Sequence, residues 1–166
     1  MSMSETFSEG AIFILQGLPK GSQFGIDCHL WTIGEKFMGI KHIPPGWHLI
    51  TCTAVGSTGK KSASMVSFYH KFLAREMFVR KWKSSTEDFD EDSVPEDEIE
   101  RFKARKTELE MYLGLYPLEL HRKWLSLSNF IEDDILSQLL PKCGKIYSAT
   151  QLVSEKFVFT KDARLV

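Results

Sequence analysis

The sequence lacks the features that mark several large classes of proteins. Its 166 residues contain only three cysteines, Cys28, Cys52 and Cys143, without a Cys-x-x-Cys spacing. This odd, scattered set argues against a disulfide framework and for a reduced intracellular compartment. The first ten residues are polar and acidic, unlike a signal peptide, and no apolar run approaches the roughly 18 residues that a membrane span requires. We therefore expect a soluble intracellular protein.

The chain as a whole has no large excess of either charge, although its charges are unevenly distributed along the sequence. The formal net charge is -1, which favours neither a nucleic-acid nor a membrane partner. Locally, residues 41–83 contain eight Lys or Arg and one acid, whereas residues 84–100 contain nine acids and no base. One interpretation is an RNA-binding surface followed by an acidic partner tail. We favour a basic sheet face beside a solvated acidic connector, because no aromatic RNA-binding motif accompanies the bases and strand alternation divides them between two faces.

Motifs that bind phosphate or metal are absent or incomplete. The segment 56–61 resembles a phosphate-binding loop, but Ala54 and Lys61 occupy the positions where that motif needs Gly and Ser or Thr. His48 and Cys52 could share a strand face, yet a zinc site needs four convergent ligands. The acids of 87–100 lack the alternation and central glycine of an EF-hand. We expect no metal and no cofactor.

A catalytic cysteine is the alternative that the sequence leaves open. A nucleophile and its base are often distant along the chain, so any cysteine with any histidine meets this test. The alternative function is therefore a small intracellular thiol enzyme with a Cys–His pair, whose histidine would be one of His29, His42, His48, His70 and His121.

The first half of the chain has the pattern of β-strands. The five residues Ala11–Leu15 are continuously apolar, as expected of a central strand covered on both faces. Pro44-Pro45-Gly46 interrupts the pattern, because neither proline donates to a sheet ladder. Short apolar segments separated by Gly and Pro predict further strands at 23–26, 30–33, 37–43, 47–53, 65–70 and 77–82.

After the acidic stretch the apolar period becomes helical. Ser93 and Glu96 have capping-box spacing, and the helix that they begin is predicted to stop at Gly114. Pro117 opens a second helix, whose stripe includes Trp124. Aromatics at this spacing favour a core position over a partner-binding hot spot. A third helix is predicted from about residue 129 to 140, followed by short strands around 146 and at 156–159.

These patterns together predict an α+β fold. A β-rich amino-terminal sheet or sandwich is followed by a small helical cluster. We divide the chain into a β-rich body at 1–83, an acidic linker at 84–94, and a helical cluster with short terminal strands at 95–166, packed on the body as one domain.

Two separated blocks of residues carry a family resemblance. The first runs from Pro19-Lys20-Gly21 through Phe24-Gly25-Ile26-Asp27 to Phe37, Gly39, Lys41, Ile43-Pro44-Pro45-Gly46 and His48. The second contains Tyr116-Pro117, Lys123-Trp124, Ser126-Leu127 and Asn129-Phe130-Ile131. In order and spacing they resemble the amino-terminal domain of the Aar-two family of cistron-splicing factors.

The resemblance implies a non-enzymatic assembly factor of the cytoplasm and nucleus. Members of that family act as chaperones in the maturation of the U-five small nuclear ribonucleoprotein. They bind pre-mRNA-processing factor eight through its RNase H-like and Jab/MPN domains, so neither direct nucleic-acid binding nor membrane association is expected. The resemblance also implies a carboxy-terminal helical domain, which this sequence does not contain. As partner-binding residues we predict Lys41, His42, Pro44 and Pro45, because rigid loops concentrate recognition residues.

Overall fold

The computed structural model describes residue 4 and residues 8–56, 58–60 and 64–148. Ten strands lie in these residues: β1 (Ala11–Gln16), β2 (Gln23–Ile26), β3 (His29–Thr32), β4 (Gly39–Ile43), β5 (Gly46–Thr53), β6 (Val66–Phe72), β7 (Met77–Lys83), β8 (Asp88–Phe89), β9 (Leu113–Leu115) and β10 (Ile146–Tyr147). The first sheet has the order β8-β7-β1-β4-β9 and the second has the order β10-β6-β5-β2-β3. With the helices that follow, this confirms the predicted α+β fold with a β-rich amino-terminal part.

Strand β1 lies at the centre of the first sheet and is buried on both faces, as its apolar run predicts. It pairs with β4 in antiparallel and with β7 in parallel orientation. Phe13 belongs to the core that the first sheet shares with the second, whereas Ile14 packs with Leu109 on the opposite side. Gly39 of β4 lets the strands approach, because a Cβ at this position would lie 1.9 Å from the backbone oxygen of Phe13.

The second sheet is antiparallel throughout and forms the other wall of the core. A two-residue turn at Asp27 and Cys28 joins β2 to β3, and both turn residues have positive φ angles of 51° and 69°. Such turns match the twist of paired strands and favour Asn, Asp or Gly at their first residue. Phe24, Ile50 and Phe72 fill the space between the sheets with no more than 1% of their surface exposed.

The first predicted helix is wrong at both of its ends. Helix α1 (Glu96–Ala104) begins after Pro95 without a side-chain cap, so the proposed capping box at Ser93 does not form. The acids of its first turn face the positive end of the helix dipole instead. The helix breaks at Arg105 into α2 (Lys106–Leu109) and a 3₁₀ turn (Glu110–Tyr112). Gly114 lies in β9 rather than at a helix end, because pairing with β4 outweighs the helical period.

The second and third predicted helices are confirmed. Helix α3 (Leu118–Ser128) begins directly after Pro117, and α4 (Asp133–Leu139) ends before Pro141. The start of α4 lies four residues later than the period suggests, because Ile131 closes a turn on the carbonyl of Ser128.

Part of the acidic stretch is built into the first sheet. Asp88 and Phe89 form β8 beside β7, and the Phe89 ring is buried in the shared core. The Asp88 carboxylate accepts hydrogen bonds from Lys145 Nζ at 3.0 Å and from the Tyr147 hydroxyl at 2.5 Å. These contacts hold the segment that contains β10 against β8. The strand predicted around residue 146 is confirmed as β10. The strand predicted at 156–159 lies outside the described residues.

Candidate functional site: a buried polar network beneath an exposed helical hairpin

A buried polar network lies where the β4–β5 turn meets the second sheet. Asp27 Oδ2 accepts a hydrogen bond from the Tyr116 hydroxyl at 2.5 Å and also lies 2.5 Å from His48 Nδ1. The other oxygen of Asp27 accepts the backbone N–H of Leu49 at 3.0 Å. His48 Nε2 lies 2.7 Å from the carbonyl oxygen of Pro44. Three chain segments that are distant in sequence, at residues 27, 44–49 and 116, are therefore joined by side-chain hydrogen bonds.

Local sequence explains how each group reaches this network. The tight turn after β2 places the Asp27 carboxylate beside β5, and alternation along β5 puts His48 on the inner face with Ile50. Pro44 lacks an N–H, so its buried backbone needs only one partner, which His48 supplies. Burial, with a smaller contribution from Asp27, raises the pKa of Tyr116 well above its ordinary value. The Tyr116 hydroxyl therefore remains a hydrogen-bond donor at physiological pH.

Helices α3 and α4 are joined by the short turn 129–132, and we call this helix–turn–helix segment the helical hairpin; each of its helices is bound to the second sheet beside this network. Trp124 of α3 donates its indole N–H to the backbone oxygen of Trp47 at 2.8 Å, and its ring lies nearly parallel to that of His48. Trp47 in turn donates its indole N–H to Asp133 of α4 at 3.0 Å. Lys71 of β6 also binds Asp133, at 2.9 Å. Hydrogen bonds from Lys71 and Trp47 lower the pKa of Asp133, so its carboxylate stays ionised.

Helices α3 and α4 and the turn between them expose large apolar side chains. Phe130 in the connecting turn is 83% exposed, and Leu139 of α4 is 76% exposed. Scattered apolar residues on a surface are ordinary, but several on one small element mark a contact site for another molecule. We call the following residues the hairpin surface: Leu125, Leu127, Phe130, Ile135 and Leu139.

The predicted partner-binding residues lie in β4 and in the β4–β5 turn. Lys41 and His42 belong to β4, so the expectation that they lie in a loop is wrong. The ammonium group of Lys41 donates to the backbone oxygen of Glu110 at 3.3 Å. The side chains of Lys41 and His42 are both half-buried. Pro44 is fully buried, whereas Pro45 is partly exposed. Direct contact with a partner is therefore open to Lys41, His42 and Pro45 but not to Pro44 in this conformation.

Some bases of the basic stretch form ion pairs with acids from elsewhere in the chain. Lys81 forms an ion pair with Glu98 at 2.8 Å, and Lys71 is paired with Asp133. Arg80 lies over the Phe68 ring and donates to the backbone oxygen of Asp90. These pairs compensate part of the positive charge and so favour the interpretation of a basic sheet face beside acids over that of an RNA-binding surface.

The three cysteines occupy different environments. Cys52 is buried in the core, and burial raises the pKa of its thiol well above the ordinary value, which disfavours the nucleophilic thiolate. Cys28 and Cys143 are exposed, and Cys143 donates to the backbone oxygen of Lys145. Within the described ranges, no cysteine is hydrogen-bonded to a histidine, and no three His, Cys, Asp or Glu residues are grouped to hold a metal ion.

Comparisons with known proteins identify the family. The family model described as the AAR2 N-terminal domain matches residues 9–141. The chain belongs to the AAR2 family. The protein named Protein AAR2 homolog from Caenorhabditis elegans is 38% identical over 157 residues, which cover 95% of this chain and 42% of that relative. The human protein of the same name is 36% identical over 141 residues, which cover 84% of this chain and 37% of the relative. The chain thus spans about two fifths of the length of the curated relatives it matches.

Residues from both blocks that carry the AAR2 resemblance meet in space. Asp27, Pro44 and His48 come from the first block, whereas Tyr116 and Trp124 come from the second. Sequence patterns did not assign these residues to one network, because the contacts span up to 89 positions of the chain. The available signal was the placement of polar residues inside otherwise apolar strands, as at His48. In the part of this AAR2-family chain that is described, no helix is long and apolar enough to cross a bilayer.

Proposed function

We propose that this AAR2-family chain is part of a non-enzymatic assembly factor for pre-mRNA splicing. In this proposal it binds pre-mRNA-processing factor eight, through the RNase H-like and Jab/MPN domains, during maturation of the U-five small nuclear ribonucleoprotein. Membership of the AAR2 family supports the assignment. A factor with this role would work in the cytoplasm and the nucleus, without a cofactor or direct contact with nucleic acid.

The observation that carries the proposal is the hairpin surface on its rigid support. Protein-binding sites combine apolar anchor side chains with a scaffold that loses little freedom on binding. Here Phe130 and Leu139 are largely exposed, while Trp124 and Asp133 fix the two helices to the sheets. We infer that the hairpin surface contributes apolar contacts and that the half-buried Lys41 contributes charge at a separate place.

The experiment is a binding measurement with the RNase H-like and Jab/MPN domains of pre-mRNA-processing factor eight, each offered separately. Surface plasmon resonance should detect binding of the chain, and the double substitution Leu127→Ser with Phe130→Ser should weaken it by about tenfold or more. Both side chains are exposed, so circular dichroism should show an unchanged fold. Leu73→Ser is the matched control, since Leu73 is also exposed but lies between β6 and β7.

If the chain binds neither of the two domains, the proposed partner is contradicted. If the chain and its double variant bind these domains with equal affinity, the partner is supported but the hairpin surface does not contribute to the contact.

Lys41→Glu tests the charged residue predicted from the sequence. If Lys41 lies at the rim of the contact, reversing its charge should slow association and alter the dependence on salt more than it changes dissociation. Measurements at two salt concentrations separate these effects. An unchanged affinity and salt slope in a folded variant would leave Lys41 with only its structural contact to Glu110.

A further inference from the structure

Three basic side chains from separate parts of the chain line one small cavity. Lys41 lies in β4, Arg75 lies in the turn between β6 and β7, and Lys106 is the first residue of α2. The cavity has a volume of about 160 Å³. Its other lining residues are Ser8, Gly10, Ile12, His42 and Glu110. With His42 neutral, three positive side chains and one negative side chain give the lining a formal charge of +2.

The positive charges at this cavity are only partly compensated. The ammonium group of Lys41 donates to the backbone oxygen of Glu110 at 3.3 Å, and a backbone oxygen carries no formal charge. Arg75 lies 3.8 Å from a carboxylate oxygen of Glu9 in an exposed pair. Within the part of the chain that the structure describes, neither Lys41 nor Lys106 forms an ion pair, unlike the paired lysines of β6 and β7. An anion in the cavity would therefore relieve repulsion between like charges.

The walls that carry the three bases are held by backbone hydrogen bonds. The N–H of Arg75 donates to the carbonyl oxygen of Glu9 at 2.9 Å, and the carbonyl oxygen of Lys41 accepts the N–H of Tyr116 at 3.0 Å. The carbonyl oxygen of Lys106 accepts a backbone N–H at the end of its own short helix. A site that is formed before the ligand arrives loses little conformational freedom on binding.

Size and charge together select a single small anion. A water molecule takes up about 30 Å³ in the liquid, so the cavity has room for about five waters and holds a phosphoryl group but not a nucleotide. A phosphorylated side chain carries a charge of about -1.5 to -2 at neutral pH, which matches the charge of the lining. Nucleic acids and anionic membranes present many phosphates and favour long basic tracks instead.

We propose that this cavity binds the phosphoryl group of a phosphorylated serine or threonine on a partner protein. Lys41 and Lys106 supply point charges, and the guanidinium of Arg75 supplies a fork of N–H donors that fits two phosphate oxygens. The site lies apart from the hairpin surface, and it does not depend on which protein the hairpin surface contacts. Phosphorylation of the partner thus adds a second contact that the unmodified partner lacks.

Nuclear magnetic resonance of the ¹⁵N-labelled chain with inorganic phosphate tests the site. At constant ionic strength, phosphate should shift the amide signals of Gly10, Lys41 and Lys106 in a saturable way, whereas chloride should not. Lys106→Gln should raise the dissociation constant for phosphate about tenfold, as expected for the loss of one contact between charged groups. Lys123→Gln is the matched control, since Lys123 is an exposed base of α3 that does not line the cavity.

Two results of this titration would overturn the proposal. One is the absence of saturable shifts at the cavity, and the other is an equal affinity for phosphate in Lys106→Gln and Lys123→Gln. Lys106 is exposed, so its replacement should leave the circular dichroism spectrum unchanged. Arg75→Gln changes a second exposed base of the cavity and should weaken phosphate binding in the same way.

Competition experiments identify the source of the phosphoryl group. A short glycine peptide with one phosphoserine should displace inorganic phosphate, whereas its unphosphorylated form should not. If the phosphopeptide does not displace phosphate, the cavity takes an inorganic anion only and the proposal is overturned. Vesicles of phosphatidylcholine and phosphatidylserine are the third probe. Vesicle binding that Lys106→Gln abolishes and the phosphopeptide does not inhibit would assign the cavity to a membrane surface and would also overturn the proposal.

Discussion

Truncation of Trp124 to alanine should strongly destabilise the chain. Only 7% of this side chain is exposed, and it covers the His48 ring while donating to the Trp47 carbonyl. Loss of a buried aromatic of this size costs about 3–5 kcal/mol. The orphaned carbonyl adds about 1 kcal/mol where water does not replace the indole N–H. We expect a total reduction of about 3–6 kcal/mol in the free energy of unfolding.

The substitution Trp124→Phe separates the two contributions. Phenylalanine keeps much of the apolar contact but has no N–H, so we expect a loss of only about 1–2 kcal/mol. Urea unfolding followed by far-ultraviolet circular dichroism measures both variants without relying on the fluorescence of the changed tryptophan. An unfolding free energy of Trp124→Ala within about 1 kcal/mol of the wild-type value would refute the core assignment. The hairpin would then be held by its other contacts.

Two further predictions concern backbone approach and thiol chemistry. Gly39→Ala should destabilise the chain by on the order of 3 kcal/mol or more, because the added methyl group would overlap the β1 backbone. The control Gly34→Ala has open space around the added methyl group and should be nearly neutral. Equal midpoints of thermal unfolding for the two variants would contradict this reasoning. Iodoacetamide should modify Cys28 and Cys143 in the native chain but Cys52 only after denaturation, because burial both raises the pKa of the Cys52 thiol and blocks access to it. Mass spectrometry measures the rate of each modification, and equal rates at the three cysteines would contradict the prediction.

Elements with short-range causes could be predicted from the sequence. The apolar run of β1 indicates a strand covered on both faces, because alternation disappears when both sides are buried. Proline at 117 and 141 limits α3 and α4, since each proline removes a backbone donor. The exposed hairpin surface could not be inferred, because the period that marks Trp124 as inward does not reveal that Phe130 stays uncovered.

Elements that depend on distant partners were predicted incorrectly. Residues 113–115 follow a helical period, yet they form a strand because β4 offers an unpaired edge. Within the acidic stretch, burial of the apolar residue Phe89 anchors β8, although the surrounding charges indicate a solvated connector. The pairing within the polar network has no local signal either: a polar His48 inside an apolar strand does not identify its partners, because Asp27 and Tyr116 are brought together only when the sheets form.

The central position of β1 has a consequence for synthesis on the ribosome. Its five apolar residues are made before the residues that cover them: the parallel partner β7 begins only at Met77, and Leu113 on its outer face comes later still. At typical elongation rates, Met77 follows about 3–13 s after β1 and Leu113 about 5–20 s after it. During that time an uncharged apolar segment without proline remains uncovered, which is the kind of segment that aggregates. Nascent chains that stop before β7 should therefore depend on chaperones far more than chains that extend past β9.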